Sequence, residues 1–75
     1  MWTNGRMMVN GIDIHYWIKH YEEPSKIYGI DGGRISKLML KQNSKIIASY
    51  ERGWEVKPQS KEAEFVFNTL LSKYN

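Results

Sequence analysis

The chain has no cysteine, so neither a disulfide framework nor a thiolate metal site is available to brace it. At 75 residues burial barely offsets chain entropy. One compact core is the most that can be built, held by hydrophobic packing or by self-association. Long apolar runs are also missing. Met1-Trp2-Thr3-Asn4-Gly5-Arg6 is interrupted by polar residues, and no segment approaches the roughly 20 apolar residues that span a bilayer. The expectation is a single soluble domain over residues 1–75, cytoplasmic and without membrane contact. Charge of one sign is scarce: 11 Lys and Arg against 8 Asp and Glu give a formal +3. That excludes a strongly acidic DNA mimic, and it permits nucleic acid as a partner without demanding it. Internal repeats, low-complexity tracts and interdomain linkers are absent.

Aromatic residues are what the chain has in excess. Three Trp, five Tyr and two Phe exceed what one small core easily encloses, so some must be partly exposed. Asn10-Gly11 between two apolar runs is the strongest short-range hairpin signal, because it supplies the two positive φ values of a type I′ turn. A two-residue loop there sets Val9 opposite Ile12, Met7 opposite Ile14 and Gly5 opposite Tyr16. Alternation then sends Ile12, Ile14, Tyr16 and Ile18 to the core and Asp13, His15, Trp17, Lys19 and Tyr21 to the other face.

Pro24 breaks this strand. The loop that follows, to about Gly33, contains Ile27, Tyr28 and Ile30, read as a flap pinned on the core edge, and Asp31-Gly32-Gly33 turns the chain into the next strand. A central hairpin joins 35–41 to 45–51. Its loop length sets its register. A two- or four-residue loop pairs Leu40 with Ile47 and sets Leu38 opposite Ser49, whereas a three-residue loop, Gln42-Asn43-Ser44, pairs Leu40 with Ile46, Leu38 with Ala48 and Ser36 with Tyr50; the three-residue loop is preferred because it buries more apolar surface on one face. Lys37, Met39, Lys41, Ile47 and Ser49 then take the opposite face. Gly53, Trp54 and Pro58 end the sheet.

Ser60 N-caps a helix of about fourteen residues. Glu62 and Glu64 at its start and Lys73 at its end suit the helix dipole. Ala63, Val66, Phe67, Leu70, Leu71 and Tyr74 form its apolar stripe. The fold class is therefore α+β: an antiparallel sheet of three to four strands, made of two hairpins, packed against one C-terminal helix. One face of the sheet is left without cover.

Catalytic signatures are weak. His15 and His20 point to opposite strand faces and do not share a metal. No serine sits in a nucleophile elbow, and a domain this small has little depth for a carboxylate cleft. Neither a catalytic residue, a metal nor a cofactor is assigned, and the chain is read as not an enzyme. Asp31-Gly32-Gly33-Arg34 could form an anion nest, but it precedes a strand where phosphate loops precede a helix, so a structural turn is preferred. Arg34, Arg52 and Trp54 are secondary binding candidates. The structural alternative for the last two is a corner in which Trp54 seals the sheet end against the helix and Arg52 stacks on it or pairs with Glu51.

The principal candidate is the uncovered sheet face: His15, Trp17, Lys19 and Tyr21 from one strand, with Lys37, Met39 and Lys41 from another. Trp, Tyr and Met with charge at the rim suit a protein interface, either with a bacterial protein or with a second copy in a homodimer. Aromatics interleaved with lysines also suit nucleic acid, by stacking and phosphate neutralisation. A three-stranded sheet backed by a C-terminal helix resembles in outline the arm-binding domains of some integrases. The low net charge and the lack of a dense basic cluster place a protein partner first and nucleic acid second.

Two blocks, Gly29-Ile30-Asp31-Gly32-Gly33-Arg34-Ile35-Ser36-Lys37-Leu38 and Tyr50-Glu51-Arg52-Gly53-Trp54-Glu55-Val56-Lys57-Pro58, resemble a family of very short uncharacterised proteins of Firmicutes and their phages and mobile elements. The resemblance runs from the Asn10-Gly11 turn to Leu70-Leu71-Ser72-Lys73-Tyr74. It implies a bacterial or phage cytoplasmic setting and no catalytic motif, and carries no activity across; the function expected is non-enzymatic binding, by a small phage or mobile-element accessory protein acting on a bacterial protein.

Overall fold

A computed structural model describes residues 1–75. The chain runs β1 (Trp2–Val9), β2 (Ile12–His20), a short 3-10 turn (Ile30–Gly32), β3 (Ile35–Gln42), β4 (Lys45–Glu51), β5 (Trp54–Val56) and α1 (Lys61–Tyr74). The five strands form one antiparallel meander in the order β1-β2-β3-β4-β5. The class is α+β with one C-terminal helix, and the sheet has five strands in place of the three or four expected.

The first hairpin has the register that Asn-Gly dictates. Asn10 and Gly11 both take positive φ, and Val9↔Ile12, Met7↔Ile14 and Gly5↔Tyr16 pair without a bulge. The strand continues back to Trp2. The Tyr16 ring packs over Gly5, where a Cβ would lie 2.7 Å from its hydroxyl and push the ring aside. At the other end of β2 a bulge at Lys19/His20 stops the regular alternation, and Tyr21 lies just past the strand.

The central hairpin corrects the expected register. The turn is only Asn43-Ser44, both with positive φ, and Gln42 pairs with Lys45. A bulge then shifts the pairing, so that Leu40 opposes Ala48 and Leu38 opposes Tyr50. Ile46 is left 42% exposed while Ile47 is buried in the core, the reverse of the expected assignment. The bulge satisfies both demands at once: a two-residue turn, and Tyr50 and Ala48 on the apolar face.

β5 is the strand that was missed. Arg52 takes φ 58° and the Glu51 amide donates to the Gly53 carbonyl, which folds the chain back so that Ser49 pairs with Val56 and Tyr50 with Trp54. Gly53-Trp54 thus reverses the chain and extends the sheet before Pro58.

The helix follows expectation. The Ser60 hydroxyl accepts the Ala63 amide at 3.1 Å, and Ala63, Val66 and Leu70 bury against Ile14, Ile18, Leu38, Leu40, Ile47, Ala48 and Tyr50, with Phe67, Leu71 and Tyr74 at the margin. The residue that caps the helix C-terminus, Asn75, closes the loop between β2 and β3. Its side-chain carbonyl accepts the Ile35 amide at 2.9 Å and its amide donates to the Ile30 carbonyl at 3.0 Å. Gly33 passes beneath this side chain with φ −97°, so close approach is what demands glycine there. Of the expected flap residues only Ile30 is buried; Ile27 is 77% exposed and Tyr28 is exposed too.

Candidate binding face of the sheet

One face of the sheet carries the helix and the other carries nothing. The regular register of β1, β2 and β3 puts Trp2 beside Lys19 and Lys37, Asn4 beside Trp17 and Met39, and Arg6 beside His15 and Lys41 on the open side. β4 adds Ser49 opposite Met39 and Glu51 opposite Lys37. Six of the seven principal candidates, His15, Trp17, Lys19, Lys37, Met39 and Lys41, therefore share one surface. Tyr21 stands at its rim, beyond the bulge. Ile47, expected on this side, is in the core instead.

Two of the four cations on the face are paired with carboxylates, Arg6 with Asp13 and Lys37 with Glu51, and the other two, Lys19 and Lys41, lie over aromatic rings. Lys19 and Lys37 are directly opposite, which is unfavourable for like charges in a cross-strand pair. Each is relieved by other neighbours. Lys37 reaches Glu51 at 3.1 Å, and the Lys19 ammonium lies 5.7 Å from the Trp2 ring centroid and 5.6 Å from that of Tyr21. Lys41 stands 5.7 Å from the Trp17 ring, whose other neighbour is the His15 imidazole, stacked at 3.8 Å. Arg6 pairs with Asp13 at 2.8 Å, and Ser49 donates to Glu55 at 3.1 Å. Hydrogen bonding and charge interaction with Lys19 lower the pKa of the exposed Tyr21 phenol from its ordinary value, with Arg52 adding to the effect. The product is a preformed aromatic and basic surface around a shallow depression of about 370 Å³, walled by Trp2, Trp17, Lys37, Met39 and Glu51.

The secondary candidates do not assemble into a site. Trp54 makes edge-on contacts with Tyr50 and with Phe67 of the helix, both at 5.2 Å, sealing the β5 end of the core. Arg52 neither stacks on Trp54 nor pairs with Glu51: its guanidinium lies 4.9 Å from the Tyr28 ring and Glu51 belongs to Lys37. Arg34 is exposed at a separate depression shared with His20, Tyr21, Glu22 and Lys73. Asp31 and Gly32 do have the positive φ of a nest, but the Gly32 and Gly33 amides are bonded to the Gly29 and Ile30 carbonyls, so the turn spends its donors on itself. His15 and His20 lie on opposite faces: His20 turns toward the Thr3 hydroxyl and Tyr74.

Sequence reasoning missed Trp2, Arg6 and Glu51 as members of the face. The first two follow from carrying the 2-4-6-8 alternation of β1 back past Arg6. Alternation from Ser49 reaches Glu51 as well; only its place opposite Lys37 needs the bulged register, which has no local sequence signal.

What fold and face define together is a small α+β domain with one uncovered, aromatic-rich sheet surface. The chain belongs to a family described as a domain of unknown function, DUF7678, whose model matches residues 1–75. No curated protein and no solved structure matches it. The helix is not long and apolar enough to cross a membrane.

Proposed function

We propose that the chain is a non-enzymatic binding module, an accessory protein of a bacterium, phage or mobile element, that engages a bacterial protein through the open face of its sheet. The observation that carries this reading is an uncovered patch of exposed and half-exposed aromatics, Trp2, Trp17 and His15, beside cations of which two are paired with carboxylates. Trp2, Trp17, Met39 and His15 offer apolar and aromatic contact, the residue types enriched at protein interfaces. Of the four cations on the face, Arg6 and Lys37 are paired with Asp13 and Glu51, which leaves the charge of Lys19 and Lys41 alone for phosphates, a sparser set than a nucleic-acid surface uses. Trp17 sits at the middle of this patch, between Asn4 and Met39, where hot-spot residues are found.

The test is capture from bacterial lysate by wild-type and Trp17→Ala protein, with nuclease and at raised salt, beside a salt titration against single- and double-stranded oligonucleotides. A protein held by wild type through nuclease and salt, and lost with Trp17→Ala, supports the reading. Oligonucleotide binding that falls steeply with salt, by about one unit of log–log slope for each of Lys19, Lys37 and Lys41, with no protein retained, overturns it.

A further inference from the structure

The geometry points to a second copy of this chain as the partner of the outer edge of β1, joined antiparallel about a two-fold axis at Gly5 so that two sheets become one of ten strands. β1 is the terminal strand of the sheet and β2 is its sole partner. Which backbone groups it leaves free is fixed by the pairing at its start. His20 donates to the Met1 carbonyl at 2.9 Å and the Met1 nitrogen donates to the His20 carbonyl at 3.0 Å, so Met1 and His20 form a hydrogen-bonded pair. Such pairs alternate along an antiparallel ladder. Thr3, Gly5, Met7 and Val9 therefore bond inward to β2, and the amides and carbonyls of Trp2, Asn4, Arg6 and Met8 point out from the sheet edge.

Those four residues are symmetric about Gly5. In an antiparallel pairing centred on Gly5, Asn4 opposes the partner's Arg6 and Trp2 opposes the partner's Met8, each as a hydrogen-bonded pair. Every outward group of both chains is then used, in about eight bonds. No other centre within the strand does this. The side chains agree with the register. Trp2 and Met8, 58% and 67% exposed, are brought opposite each other on the open face, at both ends of the new pair. The lone charged residue of the strand, Arg6, already bound to Asp13, meets a neutral Asn4. The two glycines meet at the centre, where the closest approach of the strands falls. Natural edge strands are guarded by proline, charged side chains (lysine above all), bulges or short length, and the one charge on β1, Arg6, is held by Asp13. β1 is eight residues long, contains neither proline nor lysine, and pairs with β2 without a bulge. A foreign strand could use the same edge, but the symmetry of the free groups about one residue is what an isologous contact requires. The two-fold stands perpendicular to the sheet, so both helices lie on one side and both open faces join on the other.

The test is sedimentation of the whole chain over a concentration series, together with amide hydrogen exchange at its two ends. The expectation is a species of twice the 8.9 kDa chain mass, with the amides of Asn4, Arg6 and Met8 losing their rapid exchange as the dimer forms while those of Thr3, Gly5, Met7 and Val9 are protected throughout. Asn4→Pro, which removes an outward donor and leaves every inward bond of β1 to β2 its donor and acceptor, should return the protein to monomer, and Asn4→Ala, which loses the side chain alone, should not. A monomer up to about 1 mM overturns the proposal. So does a dimer in which the even-numbered amides still exchange freely, since that species would join through the open face.

Discussion

Leu70→Ala asks whether the helix and the sheet share one core. Leu70 lies on α1 and is 1% exposed, in one cluster with Ile14, Ile18, Leu38 and Leu40 of the sheet. Truncation removes three carbon groups, worth about 0.8 kcal/mol each in transfer, or about 2.4 kcal/mol together. The void left beneath the helix adds a cavity cost, since its neighbours are held by the strand ladder, and brings the expected loss to about 3 to 5 kcal/mol. A domain of this length has a total stability of about 4 to 11 kcal/mol, so most of it is at stake. In a thermal melt followed by circular dichroism, each kcal/mol moves the midpoint by about 4 to 8 °C at this size, and the fall should be at least about 12 °C. Phe65→Ala on the same helix is the control: that ring is 57% exposed, and its loss should cost within about 0.5 kcal/mol. Equal midpoints for the two variants would refute the packing argument.

The bulged register predicts that Ile47→Ala costs about 2 to 5 kcal/mol and Ile46→Ala less than about 0.5 kcal/mol; urea midpoints decide it, and the reverse order would restore the unbulged pairing. Asn75→Ala removes two hydrogen bonds that tie Ile30 and Ile35 together, so it should cost about 1 to 3 kcal/mol, and amide exchange at Ile35 should quicken while the β1–β2 ladder is unchanged. Tyr21 should titrate below an ordinary tyrosine in ultraviolet difference spectra because of Lys19, and Lys19→Met should move it back up; no change on that substitution would remove Lys19 as the cause.

The parts of the fold legible in the sequence were those written locally. Asn10-Gly11 fixed a turn, its register and the faces of two strands, and Ser60 with the helical stripe fixed α1 to the residue. What was not legible depended on non-local balance. Ile46 and Ile47 are equally apolar; alternation from Ala48 and Tyr50 points to Ile46, and the bulge behind the two-residue Asn43-Ser44 turn buries Ile47 instead. β5 hid behind residues that usually end a sheet, because a left-handed Arg52 is a rare device with no strong sequence mark. The candidate face fared likewise: alternation along β2 and β3 found His15, Trp17, Lys19, Lys37, Met39 and Lys41. The charge pairing that gives the face its character came from Glu51 and Asp13, whose partners are set across strands.

The central claim, that the open sheet face is a protein-binding surface, is tested most directly by placing a photoreactive amino acid at Met39, in the middle of that face, or at Asn68, exposed on the outer side of the helix, and irradiating bacterial cells that express each variant. A protein-binding open face gives a discrete adduct to a cellular protein from position 39 and none from position 68. Adducts from position 68 alone, or adducts from position 39 that nuclease removes, would contradict it.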